Sequence, residues 1–257
     1  MAVAHCYAGS VADCLLYLVG AASEYGDGAR ILAGLTRYLI AETGIEDAIE
    51  CSYRSDPDGC PTRYERVDTS AALDVSVGHA AAILGYHRRR LGVSGRLHLL
   101  GWSLGGVILF EAATRLVAMD RAWHGSFGAI VTLGSPLNGC DADGVEEIGA
   151  VAAGDAGREL IRRAADPGHR ARVADAAKTL TASGARVVTL GAAEDVVVTP
   201  EDSIVARSAE ERARWTFRSR PRLGSDLMEQ HLGHGAILHD PAAWRIVRAV
   251  IRGEPTP

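Results

Sequence analysis

The 257-residue chain is short of positive charge, and nearly all it has is arginine. Lys178 is its single lysine, and 27 basic residues face 32 acidic ones for a net charge of −5. A protein that binds nucleic acid through its phosphates shows a basic face. Here the densest basic run, His87-Arg88-Arg89-Arg90, closes a helical pattern, where positive charge complements the helix dipole. Nucleic acid is therefore not an expected partner. Long hydrophobic runs are also missing: no stretch reaches the ~20 apolar residues that span a bilayer, so no stable membrane insertion is expected. The opening MAVAHCYAGSVADCLLYLVGAA has no basic n-region, and its short apolar run carries Gly20. A secretory signal is not expected, and the location is read as cytoplasmic. The five cysteines (Cys6, Cys14, Cys51, Cys60 and Cys140) are odd in number and include no C-x-x-C pair, which reads as reduced thiols. There is no H-E-x-x-H either, so neither a metal site nor a cofactor is expected. Aromatics are only 5% of the chain. With abundant alanine and arginine in place of lysine, this reads as coding bias, not chemistry. No internal repeat or low-complexity tract is present.

What is present suffices for a packed domain. Hydrophobic residues make up 47% of the chain and charged residues 23%, the balance of a globular protein with a sizeable core. The length suits a single domain over residues 1–257. Strand-like and helix-like segments alternate. CLLYLVG (Cys14 to Gly20) is the continuous apolar run of a buried strand. GARILAGLTRYLIAETG follows as one helix, with Ile31, Leu35, Tyr38 and Leu39 at helical spacing and Gly44 as a stop. DAIECSY (Asp47 to Tyr53) predicts the next strand, RSDPDGCPTRYER a loop, and the residues from about Ala71 to Leu91 a long helix. The strand GRLHLLGW, the helix LGGVILFEAATRLVAM and the strands FGAIVTLGSP (Phe127 to Pro136) and ARVVTLGAAED (Ala185 to Asp195) continue the pattern. PAAWRIVRAVIRG (Pro241 to Gly253) closes it as a helix. Such alternation predicts an α/β fold: a mostly parallel central sheet with helices on both faces.

The stretch from Cys140 to Gly184 breaks the rhythm, with no convincing strand. Val145, Ile148 and Ala152 share one helical face, and Val173, Ala177 and Leu180 share another. This predicts a small helical cap at about 140–184, inserted within the domain over the sheet's carboxyl edge, because structureless loops of that length are rare. Its arginines (Arg158, Arg162, Arg163, Arg170 and Arg172) read as a solvated helix face.

Gly101-Trp102-Ser103-Leu104-Gly105 is a G-x-S-x-G between a predicted strand and a predicted helix, the context that a nucleophile elbow requires. The serine takes a strained conformation on a very tight turn, and bulky side chains two positions away would collide. The helix N-terminus behind it favours developing negative charge. A serine hydroxyl needs a base, and the base an orienting acid. Asp195 and Glu194 lie just past a predicted strand, on the same sheet edge as Ser103. Asp195 is preferred because Val196-Val197-Val198 follow it directly, with Glu194 as the fallback. For the base, HLGHGAILHDPAAW offers His231, His234 and His239. His234, between Gly233 and Gly235 in a loop with room to swing, is preferred, with His231 next. His239 reads as a cap of the last helix and His98 as structural.

At this point the chain resembles the α/β-hydrolase family and its lipase- and esterase-like members. HLLGWSLGG, TLGSPLNG, GAAEDVVVTP and HGAILHDP carry the likeness, in the family's order. The resemblance implies Ser103 as nucleophile, Asp195 as acid, His234 as base, and the backbone N–H of Leu104 as one oxyanion donor. The family's second donor follows a His-Gly or Pro-Gly at the end of an early strand. Here that place reads Leu18-Val19-Gly20-Ala21-Ala22, so Ala21 supplies the N–H, or Ala22 if the register shifts by one. The implied activity is cleavage of a carboxylic ester through an acyl-serine, with a small, apolar acyl substrate. A thioesterase, acyltransferase or cyclase would use the same groups with another acceptor. A catalytically silent α/β-hydrolase-fold binding protein is the competing class, since fold alone does not establish function. Oligomeric state is not legible.

Overall fold

The first strand, β1 (Cys14–Leu18), is apolar at every position because both of its faces are covered. Side chains alternate across a strand, so Cys14, Leu16 and Leu18 enter one core while Leu15, Tyr17 and the following Val19 enter the other. The computed structural model describes residues 13–92, 94–141, 150–206, 208–218 and 233–256. Around β1 it builds a six-stranded sheet with β2 (Asp47–Glu50), β3 (Leu97–Trp102), β4 (Phe127–Leu133), β5 (Arg186–Ala192) and β6 (Thr216–Phe217), in the order β2-β1-β3-β4-β5-β6. Every pairing is parallel.

Helices cover both faces. The first core lies under α3 (Leu73–Leu91), α4 (Leu104–Met119) and α6 (His169–Ala182). The second lies under α2 (Ala33–Thr43) and α9 (Pro241–Arg252), which follows the short α7 (Pro200–Ser203) and α8 (Ala209–Arg214). None of the described helices is long and apolar enough to cross a membrane.

The strand order has one consequence for a site. From β1 the chain adds β2 on one side, then crosses back to lay β3 on the other. In open α/β sheets ligands bind beyond the carboxyl ends of the strands where the order reverses in this way. That crevice is flanked here by Val19-Gly20, after β1, and by Ser103, after β3.

Several boundaries differ from the sequence expectation for local reasons. The helix expected from Gly28 to Gly44 is broken at Leu32 into α1 (Asp27–Ile31) and α2. The strand expected over Asp47–Tyr53 ends at Glu50, because the next side chains serve loops: Ser52 Oγ donates to Thr62 O at 2.6 Å and Tyr53 Oη to Val19 O at 2.7 Å. The helix expected from Ala71 starts at Leu73, preceded by a 3-10 turn, Arg66–Ser70. His239 is not the cap of α9; the Asp240 carboxylate is, accepting from the N–H groups of Ala242 and Ala243. A short carboxylate at the N-cap satisfies orphan backbone donors that an imidazole one residue earlier does not. β6 has only two residues, too few for alternation to reveal.

Within the stretch at about 140–184, residues 142–149 lie outside the described ones. α5 (Ala150–Ala165) packs on the 3-10 turn and on α3, while α6 packs on α4 and β5 as a crossover helix between β4 and β5. Arg163 of α5 is tied to Glu111 of α4 and to Glu159. Arg158, Arg162 and Arg172 pair with Asp155, Glu159 and Asp166.

Candidate active site

Ser103 stands between the end of β3 and the start of α4 with φ 54° and ψ −133°. Such a backbone costs a serine about 1–3 kcal/mol. Leu104, Val107 and Ile108, in the first turns of α4, are all buried, and each contributes about 1.5–3 kcal/mol by leaving water. Packing of the helix therefore outweighs the strain at its head. The glycines make the turn possible by having no Cβ. One on Gly101 would stand 2.2 Å from Gly106 Cα, one on Gly105 2.4 Å from Leu18 O, and one on Gly106 2.0 Å from Ser135 Oγ. Gly105 thus answers to the neighbouring strand β1, not to a clash across its own turn.

The structure brings Ser103, His234 and Asp195 into one hydrogen-bonded chain. Ser103 Oγ lies 2.8 Å from His234 Nε2, and His234 Nδ1 lies 2.8 Å from Asp195 Oδ2. The three residues are 6%, 1% and 3% exposed, so bulk water does not compete for these bonds. The other carboxylate oxygen of Asp195 accepts from the N–H groups of Val197 and Val198 at 3.0 and 2.9 Å. An ionised carboxylate only accepts, so His234 Nδ1 carries the proton and Nε2 is left to accept from the Ser103 hydroxyl. Glu194, the fallback acid, is exposed. His231, the second choice of base, lies outside the described residues.

Among the described residues, neighbours from three segments close around His234. Gly233, at φ 69°, lets the turn press against the preceding acid loop, since a Cβ there would sit 2.3 Å from Glu194 O. Gly134, just past β4, likewise leaves space where a Cβ would stand 3.3 Å from Asp195 Oδ2 and 3.8 Å from His234 Nδ1. Trp102 Nε1–H donates to the His234 carbonyl at 3.2 Å, and the two rings lie 5.2 Å apart. Sequence reasoning missed this role for Trp102. The available signal was an indole, whose N–H needs a partner when buried, in the variable position before the serine.

Opposite Ser103 is the loop after β1. A Cβ on Gly20 would stand 2.7 Å from Ser103 Cβ and 3.8 Å from Leu104 N. The loop is held by its own Ser23 and by side chains from distant segments. Tyr53 donates to Val19 O, and Ser23 Oγ donates to Gly20 O at 2.7 Å, leaving the Ser23 oxygen to accept from Tyr64 Oη at 3.2 Å. Burial pushes both phenols well above their ordinary pKa, so they remain donors at neutral pH. The Ala22 N–H is turned toward Thr69 Oγ1 at 2.9 Å. Among the described residues the N–H groups of Ala21 and Leu104 have no partner. Further along, the Glu50 carboxylate collects the N–H groups of Gly26, Gly28 and Ala29, and burial pushes its pKa up.

No protein-family model and no curated sequence matches the chain. Solved structures do. Lipase B from Aspergillus fumigatus is 13% identical with a TM-score of 0.54, over 96% of this chain and 54% of that one. Carboxyl esterase 2 from the mycorrhizal fungus Tuber melanosporum is 16% identical with a TM-score of 0.50, over 96% of this chain and 78% of that one. The phospholipase PlaB from Legionella pneumophila in complex with thio-NAD gives 12% identity and a TM-score of 0.47, over 70% of this chain and 37% of that one. The chain thus spans about half the length of the lipase and little more than a third of the phospholipase. The parallel sheet with its reversal between β1 and β3, the tight serine turn after β3 and the likeness to the two fungal structures establish that this chain has the α/β-hydrolase fold.

Proposed function

We propose that the protein is a serine hydrolase that cleaves a carboxylic ester through an acyl-serine intermediate. The observation that carries the reading is the buried chain from Ser103 Oγ through His234 to Asp195, with both links at 2.8 Å. Ser103 attacks the carbonyl carbon while His234 Nε2 takes its proton. Asp195 keeps His234 in the tautomer that can do this and stabilises the imidazolium that forms. Negative charge then develops on the carbonyl oxygen, next to the N-terminus of α4. The N–H of Leu104 and that of Ala21 are the proposed donors to it. The engagement of the Ala22 N–H with Thr69 supports Ala21 over its neighbour. His234 returns the proton to the leaving alcohol, and a water activated by the same imidazole releases the acid. The substrate is proposed to be a small apolar acyl ester, with α5 as the part of the inserted segment that caps the site. The single domain, the roles of the site residues and a cytoplasmic location belong to this proposal.

A fluorophosphonate probe tests it directly. The expected result is covalent labelling that disappears in Ser103→Ala, together with turnover of short-chain nitrophenyl esters. Labelling that persists in Ser103→Ala would overturn the assignment of the nucleophile. A wild-type protein that neither labels nor turns over an ester would favour a silent binding protein.

A further inference from the structure

Ala22 and Ser103 are the only non-glycine residues with positive φ among the described ones, and Ala22 lies two residues past Gly20, which is packed against Ser103. The strain at Ser103 is explained by the serine turn. Ala22, at φ 61°, has no such motif around it. A left-handed alanine costs about 1–2 kcal/mol and persists only where its surroundings impose it. The group that imposes it comes from 47 residues away: Thr69 Oγ1 accepts the Ala22 N–H at 2.9 Å. Thr69 is itself fixed. Its side chain is fully buried, and its hydroxyl proton goes to Arg66 O at 2.7 Å within the 3-10 turn. With that proton engaged, the oxygen facing Ala22 can only accept. Behind Thr69 the turn is pressed by α5, where Gly154, at φ 42°, lets the helix approach until a Cβ would meet Ser70 O at 2.5 Å.

We propose that Thr69 is a positioning residue of the oxyanion-binding loop: by holding the Ala22 N–H away from the crevice it sets the orientation of the preceding peptide, whose Ala21 N–H faces the reacting carbonyl oxygen. This rests on the serine-hydrolase reading. Tyr53 holds Val19 O, and Ser23 holds Gly20 O, which lies on the same planar peptide as the Ala21 N–H; the following peptide, which carries the Ala22 N–H and fixes the far side of Ala21, is held by Thr69. Thr69 supplies the one side-chain bond to an N–H in the strained part of the loop. A misdirected oxyanion donor is felt in the transition state and little in the ground state, so the loss falls on kcat.

The test uses the full chain with a short-chain nitrophenyl ester and a fluorophosphonate probe. Wild-type labelling at Ser103 is read first; its absence overturns the serine-hydrolase reading and this inference with it. Thr69→Val keeps the shape and removes the hydroxyl. It is expected to lower kcat and the labelling rate by roughly 10- to 100-fold with KM within about twofold. Thr69→Ser keeps the hydroxyl and is expected to recover kcat to within about threefold of wild type. Thr69→Ala repeats the measurement without the added methyl of valine, so a fold lost to crowding does not remove the test. A folded Thr69→Val or Thr69→Ala with wild-type kcat overturns the inference and leaves the serine-hydrolase reading intact. So does a Thr69→Ser as slow as Thr69→Val, which would make the side chain a packing element.

Discussion

Among the described residues two His–Asp pairs stand at opposite ends of one strand, one partly exposed and one sealed. His98, near the start of β3, places Nε2 3.1 Å from Asp13 Oδ2. Ser103, just past the end of β3, meets the pair His234–Asp195. The two ends are about 17 Å apart at the rise of a β-strand. Their chemistry is alike, but their positions are not. At the amino edge, Asp13 is one-third exposed and also receives the Arg96 N–H, and His98 Nδ1 has no partner among the described residues. At the carboxyl edge both side chains are sealed, and the second nitrogen of the imidazole finds a hydroxyl at the head of a helix. A His–Asp pair becomes a candidate base only where the sheet edge supplies a nucleophile and backbone donors. A third histidine sharpens the contrast: His87 in α3 is buried with neither ring nitrogen hydrogen-bonded among the described residues.

The largest expected effect breaks the carboxyl-edge pair. Asp195→Asn should lower kcat on a nitrophenyl ester by roughly 10³- to 10⁴-fold while the fold survives, because the amide favours the wrong tautomer of His234. Steady-state kinetics with a thermal melt would check it, and a loss below tenfold would remove Asp195 from the chemistry. The next effect concerns stability and His87. Burial, with Arg90 nearby, pushes its pKa from the ordinary 6.5 down to about 4. The folded state then holds His87 neutral while the unfolded state binds a proton, so its contribution is whole above pH 6.5 and is lost as pH falls toward 4. The loss is on the order of 3 kcal/mol. His87→Leu should flatten the fall in urea midpoint across that window, and parallel slopes for the two proteins would refute the origin.

A smaller effect is expected from Trp102→Phe, which keeps a ring beside His234 and removes its donor to the His234 carbonyl. Turnover should fall by roughly 3- to 10-fold, the worth of one positional hydrogen bond of about 1 kcal/mol. The smallest effect belongs to the amino edge. Asp13→Asn should leave kcat within about twofold and cost at most about 1 kcal/mol, since a partly exposed pair is screened. The His98 hydrogen bond holds the Asp13 pKa below 3.8, so this contribution is present above that pH and fades as pH drops beneath it. A tenfold loss of turnover in Asp13→Asn would mean that the two edges are coupled.

Much of this architecture was readable from residue order. Apolar runs alternating with helical periodicity specify a parallel sheet covered on both faces, because a strand buried twice has no polar side to show. Gly101, Gly105 and Gly106 around Ser103 announce a close-packed turn, although the structure shows only Gly101 answering to the turn itself, Gly105 to β1 and Gly106 to Ser135. The acid and base candidates follow from the rule that groups just past strand ends gather on one edge, which singles out Asp195 and His234 without any distance being known. The contacts between distant groups were not readable. Ser103 and His234 are 131 residues apart, Ala22 and Thr69 47, and no local pattern records that they touch. The helix break at Leu32, the early end of β2 and the Asp240 cap likewise answered to partners and orphan donors that periodicity does not weigh. Sequence by itself determined which chemical groups reach the carboxyl edge, since local backbone preference and burial suffice for that. Only the tertiary structure decided which nitrogen faces which oxygen, because hydrogen bonds form or fail within a few tenths of an ångström and that margin is set by packing across the whole domain.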